Sequence, residues 1–221
     1  LASSSGGTLN LILKGGTYTK NPSAYVAPGY GFVDNGNSTW TVFKYPDDAS
    51  AYTGQTTVGS YTISIPEQLD VLGEKTRAGQ TYAGSTFTLT ADIDLRGIAR
   101  RPIGTFNGVF DGNGHTISNF VVNLSTTDDV GFFSILKNAT VKNLSIRGGR
   151  VEGRCRAGGL AGRFSGGVVV EDCTTDLEVV AQGYDAGGIV AWMEGSAANR
   201  LTGTGDGLRS GGSRRRTCRH E

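Results

Sequence analysis

The sequence predicts an all-β solenoid, a stack of coils that bury a common core, and three observations lead there. First, glycine pairs followed by apolar residues recur as "VGFF" at Val130, "GGLAG" at Gly158 and "GGIVA" at Gly187. Within them Gly131, Gly159 and Gly188 lie 28 and 29 residues apart. Second, a polar element keeps the same beat: Asn143 in "TVKNL" and Asp172 in "VVEDC" are 29 apart, and Asn119 in "TISNF" lies 24 upstream of Asn143. Third, apolar residues alternate with polar ones between these glycines, as they do in half-buried strands. A period of roughly 20–50 residues marks units that bury their apolar faces only by stacking on neighbours.

The elements follow in order. Residues 1–45 form a β-rich end piece. "TLNLILKGGTYT" alternates Leu9, Leu11 and Leu13 with polar residues until Gly15-Gly16 ends the run. "GFVDNGNSTWTVFKY" reads as a hairpin, because Asn35-Gly36 suits a tight turn and Trp40, Val42 and Phe43 favour a strand. Residues 46–60 are polar, with Pro46, Gly54 and Gly59, and read as a linker. One helix is predicted near 66–78. Pro66 stands near its first position, Glu67 in the first turn, Lys75 and Arg77 near its end, and Gly79 stops it. Leu69 and Leu72 share its apolar face with Ile65. A helix ahead of a repeat array is placed to cap it, covering an apolar end and an unpaired strand edge. From Tyr82 the chain reads as strand and turn. Phe87, Leu89, Ala91, Ile93 and Leu95 point inward in "TFTLTADIDL", and Thr88, Thr90, Asp92 and Asp94 point outward. The recurring Asn119, Asn143 and Asp172 are expected to form a ladder at one corner of successive coils. Gly131, Gly159 and Gly188 are expected at turns that need φ values other residues resist.

Composition narrows the functions. Thirty-five glycines in 221 residues is about twice the ordinary ~7%. A net charge of +1 offers no electrostatic case for nucleic acid. No stretch approaches the ~18 apolar residues of a membrane span. The chain starts at Leu1 and reads as a fragment or a processed product. Cys155, Cys173 and Cys218 form neither a CxxC pair nor a disulfide framework, and Cys173, in the slot of Leu144 one coil earlier, is expected to be buried. Leu201 and Leu208 stand 28 residues beyond Cys173 and Val180, which could begin another coil. However, Arg214, Arg215 and Arg216 stand where the next glycine pair is due, and six arginines follow Ala198 against only Asp206 and Glu221. Residues 199–221 are therefore expected to be a degenerate or disordered tail whose deletion leaves stability unchanged. A basic tail for nucleic acid or acidic polymers is the rival reading.

"TLTADIDL", "PIG", "FNGVFDGNGHTISNF", "VGFF", "ATVKNLSI" and "GGLAG", in that order, resemble the GLUG-motif repeats of bacterial surface and adhesin-like proteins, found also in non-catalytic regions of IgA-specific metallopeptidases. The lead-in from Ser64 resembles the segment that precedes such repeats, helix included, and the resemblance spans about residues 15–198. It implies a right-handed parallel β-helix over 61–198 that is part of a longer polypeptide. Such a module would be extracellular or at the cell surface, and would serve as a stalk or as a surface binding a host or microbial glycan or protein. "GGIVA" departs from the pattern in lacking the closing glycine.

Chemistry-bearing residues were weighed against that reading. Asp92 and Asp94, two apart on a strand, stand ~7 Å apart, within the range of a glycosidase acid–base pair. With Asp111 they define the alternative, a polysaccharide lyase or glycosidase on the same scaffold. Asp111, Asn113 and His115 superficially suggest a metal loop, but turn chemistry explains them and no metal is expected. GxSxG, HExxH and a phosphate-binding loop are absent, so neither cofactor nor catalytic residues are assigned. Tyr18, Tyr25, Tyr30, Trp40, Tyr45 and Trp192 are candidates for stacking on sugars or anchoring a protein, with strand packing the ordinary role. Four N-x-S/T sequons, at Asn37, Asn123, Asn138 and Asn143, read as incidental in a bacterial protein. A purely structural spacer is the third reading.

Overall fold

The computed structural model describes residues 12–22, 25, 30–34, 38–44, 58–97, 99–194, 197–198, 201–203 and 207–209. Near the N-terminus β1 (Gly16–Tyr18), β2 (Tyr30–Asp34) and β3 (Trp40–Lys44) form an antiparallel sheet in the order β1-β3-β2. The predicted hairpin is β2–β3, with Asp34 opposite Trp40. Gly16 begins β1 rather than ending a strand, whereas Leu9, Leu11 and the Asn35-Gly36 turn lie outside the described residues.

The remainder is a parallel β-helix. Its first coils run through β4 (Ser60–Ile63), α1 (Pro66–Arg77), β5 (Thr86–Leu89), β6 (Ile93–Asp94), β7 (Ile103–Phe106), β8 (Val109–Asp111) and β9 (Thr116–Leu124). Next come β10 (Phe133–Lys137), β11 (Thr140–Lys142), β12 (Ser145–Gly153), β13 (Arg156–Gly158), β14 (Ala161–Ser165), β15 (Val169–Glu171) and β16 (Cys173–Ala181). The last described elements are β17 (Asp185–Gly187), β18 (Val190–Glu194), β19 (Ala197–Ala198), β20 (Leu201–Gly203) and β21 (Gly207–Arg209). Three parallel sheets wall the core, ordered β7-β10-β14-β18, β4-β5-β8-β11-β15-β19 and β6-β9-β12-β16-β20, with β21 also on β16. Each coil thus adds one strand to each wall at the ~4.8 Å strand spacing. Ser60 belongs to the first coil, so the solenoid starts one residue inside the expected linker; residues 46–57 lie outside the described residues.

Register turns the sequence period into columns of side chains. Tyr61, Phe87, Phe110, Val141 and Val170 stack in one interior column, and Ile93, Ile117, Ile146 and Thr175 in another. Phe87, Phe106, Phe110, Phe133 and Phe164 are fully buried. Rings meet mostly edge to face, for instance Phe132 and Phe133 at 5.0 Å and 88°. Full burial of one such side chain contributes ~1.5–3 kcal/mol, so these columns dominate the stability of the stack. Phe87, Leu89, Ile93 and Leu95 are buried as the alternation predicts, and Ala91 sits half-buried at the corner between β5 and β6. Cys173 is buried, and burial pushes its thiol up to about 11. Cys155 is also buried and is disulfide-bonded.

The helix α1 does cap the stack. It occupies the place of a strand beside β7, and its buried face includes Leu69, Val71 and Leu72. A helix cannot continue a β ladder with its backbone, so its side chains do so: Gly104 N–H donates to Thr76 Oγ1 at 2.8 Å, and Arg77 donates to Pro102 O at 2.7 Å. A buried Asp70–Arg100 ion pair adds a third tie. The helix starts without a side-chain cap at Ile65, but Gln68 Oε1 accepts the Ser64 N–H at 2.7 Å. It ends in a Schellman pattern, Gly79 N–H to Thr76 O and Gln80 N–H to Lys75 O, with Gly79 at φ 102°.

At the C-terminal end two short strands join the stack. Within 199–221, β20 and β21 pair in parallel with β16, Leu201 on Cys173 and Leu208 on Val180. A further coil thus begins, as the 28-residue spacing of Leu201 and Leu208 allowed. Residues 199–200, 204–206 and 210–221 lie outside the described residues.

Candidate functional site: outward faces and corners of the stack

The predicted turn and ladder residues fall into separate columns. Gly131, Gly159 and Gly188 do stack, because each lies two residues before the register set Phe133, Ala161 and Val190. Their φ angles are not positive, so the conformational reason expected for them is wrong. Space is the reason: a Cβ on Gly131 would stand 2.6 Å from Gly158 O, and one on Gly159 would collide with Gly188 O. Main chain packs on main chain here. Asn143 and Asp172 share a corner column with Gly112, following the registered Asp111, Lys142 and Glu171. Both adopt the left-handed conformation, at φ 53° and 50°. Asn119 does not join them. It stands at a different corner, across from Gly148, and is left-handed on its own account at φ 58°. Its spacing of 24 from Asn143, out of step with the coil period, signalled this.

The three carboxylates of the enzymatic alternative are each bonded to their surroundings. Asp92 accepts from Thr116 N–H at 2.9 Å and contacts His115 Nδ1 at 3.1 Å; both bonds, the first chiefly, hold its carboxyl below the usual range. Asp94 accepts from Asn119 Nδ2 at 2.8 Å and Arg96 N–H at 2.8 Å and is likewise lowered. For Asp111 desolvation pushes upward, yet Asn143 Nδ2, Asn113 N–H and Lys142 together outweigh it and the carboxyl is lowered. A general acid needs the opposite shift, toward a protonated form near neutral pH. Asp111, Asn113 and His115 form a hydrogen-bonded corner, and among the described residues no group of three or more His, Cys, Asp or Glu could hold a metal ion.

A feature that reading the chain linearly missed is charge alternation between coils. The middle coil carries Lys142, Arg147, Arg150, Arg154 and Arg156, and its neighbours carry acids at adjoining positions. Lys142 pairs with Asp111 below and is registered with Glu171 above. Arg150 bonds Glu178, and Arg147 is registered with Asp176. Arg154 and Arg156 each grip an aspartate in two-pronged bonds, to Asp128 at 2.8 and 2.6 Å and to Asp129 at 2.5 and 3.0 Å. The signal was present at the coil period, as |i−j| near 28, but becomes legible only once register is fixed.

Aromatic candidates divide the same way. Tyr18 donates to Gly15 O at 2.5 Å, a local turn contact, and Trp40 is half-buried. Tyr25 is exposed; the side chain of Tyr30 and all of Tyr45 lie outside what is described. Late in the stack Tyr184, before β17, and Trp192 and Met193, on β18, are 49%, 41% and 51% exposed; Trp192 and Met193, consecutive on a strand, point to opposite faces. Met193 is the last described residue of the column Phe106, Leu136, Phe164. Among the described residues no helix is long and apolar enough to cross a membrane.

No family model matches the chain, and no solved structure matches it. One curated relative, halomucin from Haloquadratum walsbyi, is 32% identical over 127 residues, which cover 47% of this chain and 1% of halomucin. The matched stretch is thus a hundredth of the length of that curated relative.

Proposed function

We propose that this chain is a non-catalytic β-helical module of an extracellular surface protein, adhesin-like, which presents its coil faces to a host or microbial glycan or protein or holds a binding region away from the cell as a stalk. The observation that carries the reading is the parallel coil stack itself, taken with its similarity to a stretch amounting to 1% of a far longer protein. Repeating coils give a rigid surface whose length scales with coil number, the property a long surface protein uses. The GLUG-motif resemblance belongs to this proposal and agrees with it. Tyr184 and Trp192 supply exposed aromatic surface that would stack on a sugar ring or anchor a protein. The lowered carboxylates Asp92, Asp94 and Asp111 favour this reading over a carbohydrate-active enzyme, and their bonds within and between coils explain their presence without chemistry.

The test is passage of the purified, unmodified chain over immobilised mucin, plant polysaccharides and matrix proteins, with the eluate assayed for released sugar. Retention without released sugar, weakened at least tenfold by Tyr184→Ala with Trp192→Ala, is the expected result. Sugar release that disappears in Asp92→Asn with Asp94→Asn would replace the proposal with an enzyme. Absence of retention on every surface would leave the spacer role.

A further inference from the structure

Of the four sequons, the structure separates three by the surroundings of the asparagine. Asn143 is half-buried, and its Nδ2, the atom a glycan would occupy, donates to Asp111 at 3.0 Å inside the corner column. Asn123 is exposed at the end of β9 but stands in register with Glu152, whose carboxylate is already bonded to Gln182 and Arg150. Asn138 differs from both. It is exposed at the corner between β10 and β11, left-handed at φ 49°. Its Oδ1 accepts the Gly167 N–H at 3.0 Å, which holds the carboxamide by its oxygen side and leaves bonding of Nδ2 to no described group.

The neighbouring coils leave room around it. Above Asn138 the corner is Gly166-Gly167, and below it is Asn107-Gly108. A side chain at 166 would collide with the Asn138 carboxamide, so that position admits only glycine while Asn138 keeps this pose. The result is an exposed polar side chain at a corner whose counterpart on the coil above, Gly166-Gly167, carries no side chain. Thr140, the hydroxyl residue of the sequon, is the first residue of β11 and is half-buried on its outward side.

We propose that Asn138 is a glycosylation site of this chain, the acceptor being its Nδ2 and the donor a lipid-linked oligosaccharide phosphate. The inference rests on the extracellular placement proposed above, where such donors are used. In the reaction Nδ2 bonds to the anomeric carbon of the sugar, the bond from that carbon to the phosphate oxygen breaks, and the lipid phosphate leaves with the electron pair while the amide releases one proton. A glycan there would stand out from the corner ridge, leaving both adjoining sheets uncovered and adding a hydrophilic bulk beside them.

The test uses the purified folded chain with a single-subunit oligosaccharyltransferase that requires only N-x-S/T and a lipid-linked oligosaccharide, with glycopeptides read by mass spectrometry. The unfolded peptide 132–150, which holds both sequons, serves as the control. The expected result is modification of both asparagines in the peptide, and of Asn138 at least tenfold more than Asn143 in the folded chain. Thr140→Val should abolish modification at Asn138 with the melting temperature retained. An unmodified Asn138 in the folded chain, an unmodified Asn138 in the peptide, or equal modification of Asn143 in the folded chain would each overturn the proposal. Because the ligand-binding test uses unmodified protein, its failure and the failure of this inference read out separately.

Discussion

The first coils and the last coils share a period and differ in how they fill it. From Tyr61 to Phe133 the interior is aromatic: Tyr61 stacks on Phe87 at 4.9 Å, and Phe106 lies 5.3 Å from Phe133. From Ala157 to Ala181 the Tyr61 column continues as Val170 and the Phe133 column as Ala161, and of the large rings Phe164 remains. Glycine clearance is common to both: a Cβ would strike a neighbouring backbone on Gly108 or Gly112 in the first coils, as on Gly158, Gly159 or Gly162 in the later ones. What differs is the size of the interior side chains. The comparison teaches that a coil period constrains the path of the chain while leaving open which side chains fill the interior to close-packed density. The ends differ too. At one, α1 covers β7; at the other, the last described strand of that sheet is β18.

Two substitutions attack glycine clearance and side-chain volume directly and carry the largest effects. Gly159→Val forces a side chain against the Gly188 carbonyl and Thr175, and should cost ~3–5 kcal/mol or abolish folding. Phe133→Ala empties the aromatic half and should cost ~3–5 kcal/mol through lost burial and the cavity left behind. Thermal and denaturant unfolding measure both; an unchanged melting temperature in the first would refute the clearance account of the glycine column.

A middle tier concerns single polar ties. Thr175 stands in an isoleucine column yet donates Oγ1 to Gly188 O at 2.6 Å. Thr175→Val should therefore destabilise by ~1 kcal/mol although it adds apolar surface, because the Gly188 carbonyl loses one of two donors and keeps only the Gly159 N–H at 3.1 Å. If the variant proves more stable, the bond contributes less than burial. At the capped end Thr76→Val should cost about as much and speed hydrogen exchange at the Gly104 amide, while exchange in β15 and β16 stays as it was.

The charge alternation gives a graded test. Arg156 and Asp129 are 16% and 14% exposed, whereas Arg150 and Glu178 are 41% and 44% exposed. Arg156→Gln should destabilise by ~1–3 kcal/mol and Arg150→Gln by under ~1 kcal/mol, the second effect fading in high salt. Equal effects would mean that burial does not set their strength.

The smallest effect is on pH dependence. Asp128 is lowered chiefly by its bond to Arg154, and Asp111 by Asn143, Asn113 and Lys142 against desolvation. A carboxyl lowered in the folded state adds stability above its unfolded value of ~3.9, and this is lost as pH falls through the folded value. Asp70 runs the other way, since burial raises it despite Arg100, so its ionisation opposes folding above that same value. Stability should decline below about pH 4, and Asp128→Asn should flatten that decline. A decline of undiminished slope in the variant would remove Asp128 from the account.

Much of the fold was legible in the chain, for particular reasons. The 28- and 29-residue spacings placed Gly131 over Gly159 and Gly188 and Asn143 over Asp172, because coil length fixes which residues share a column. Leu201 and Leu208 were legible as partners of Cys173 and Val180 by the same rule. Pro66, Glu67, Lys75 and Gly79 bounded the helix, since helix ends depend on local backbone chemistry. The candidate site was less legible. Periodicity could list Asp92, Asp94 and Asp111 as outward carboxylates, but each also bonds a side chain 23 to 32 residues away.

The sequence by itself determined the coil period, the inward alternation of Phe87, Leu89, Ile93 and Leu95, the helix and its end, and the burial of Cys173, all set by spacing and local propensity. Only the tertiary structure decided why the glycine column is glycine, which corner Asn119 occupies, and which arginine meets which aspartate. It also decided which sequon has space around it. These depend on distances between coils, and a chain carries those distances only when register, set by the whole core, has placed one coil on the next.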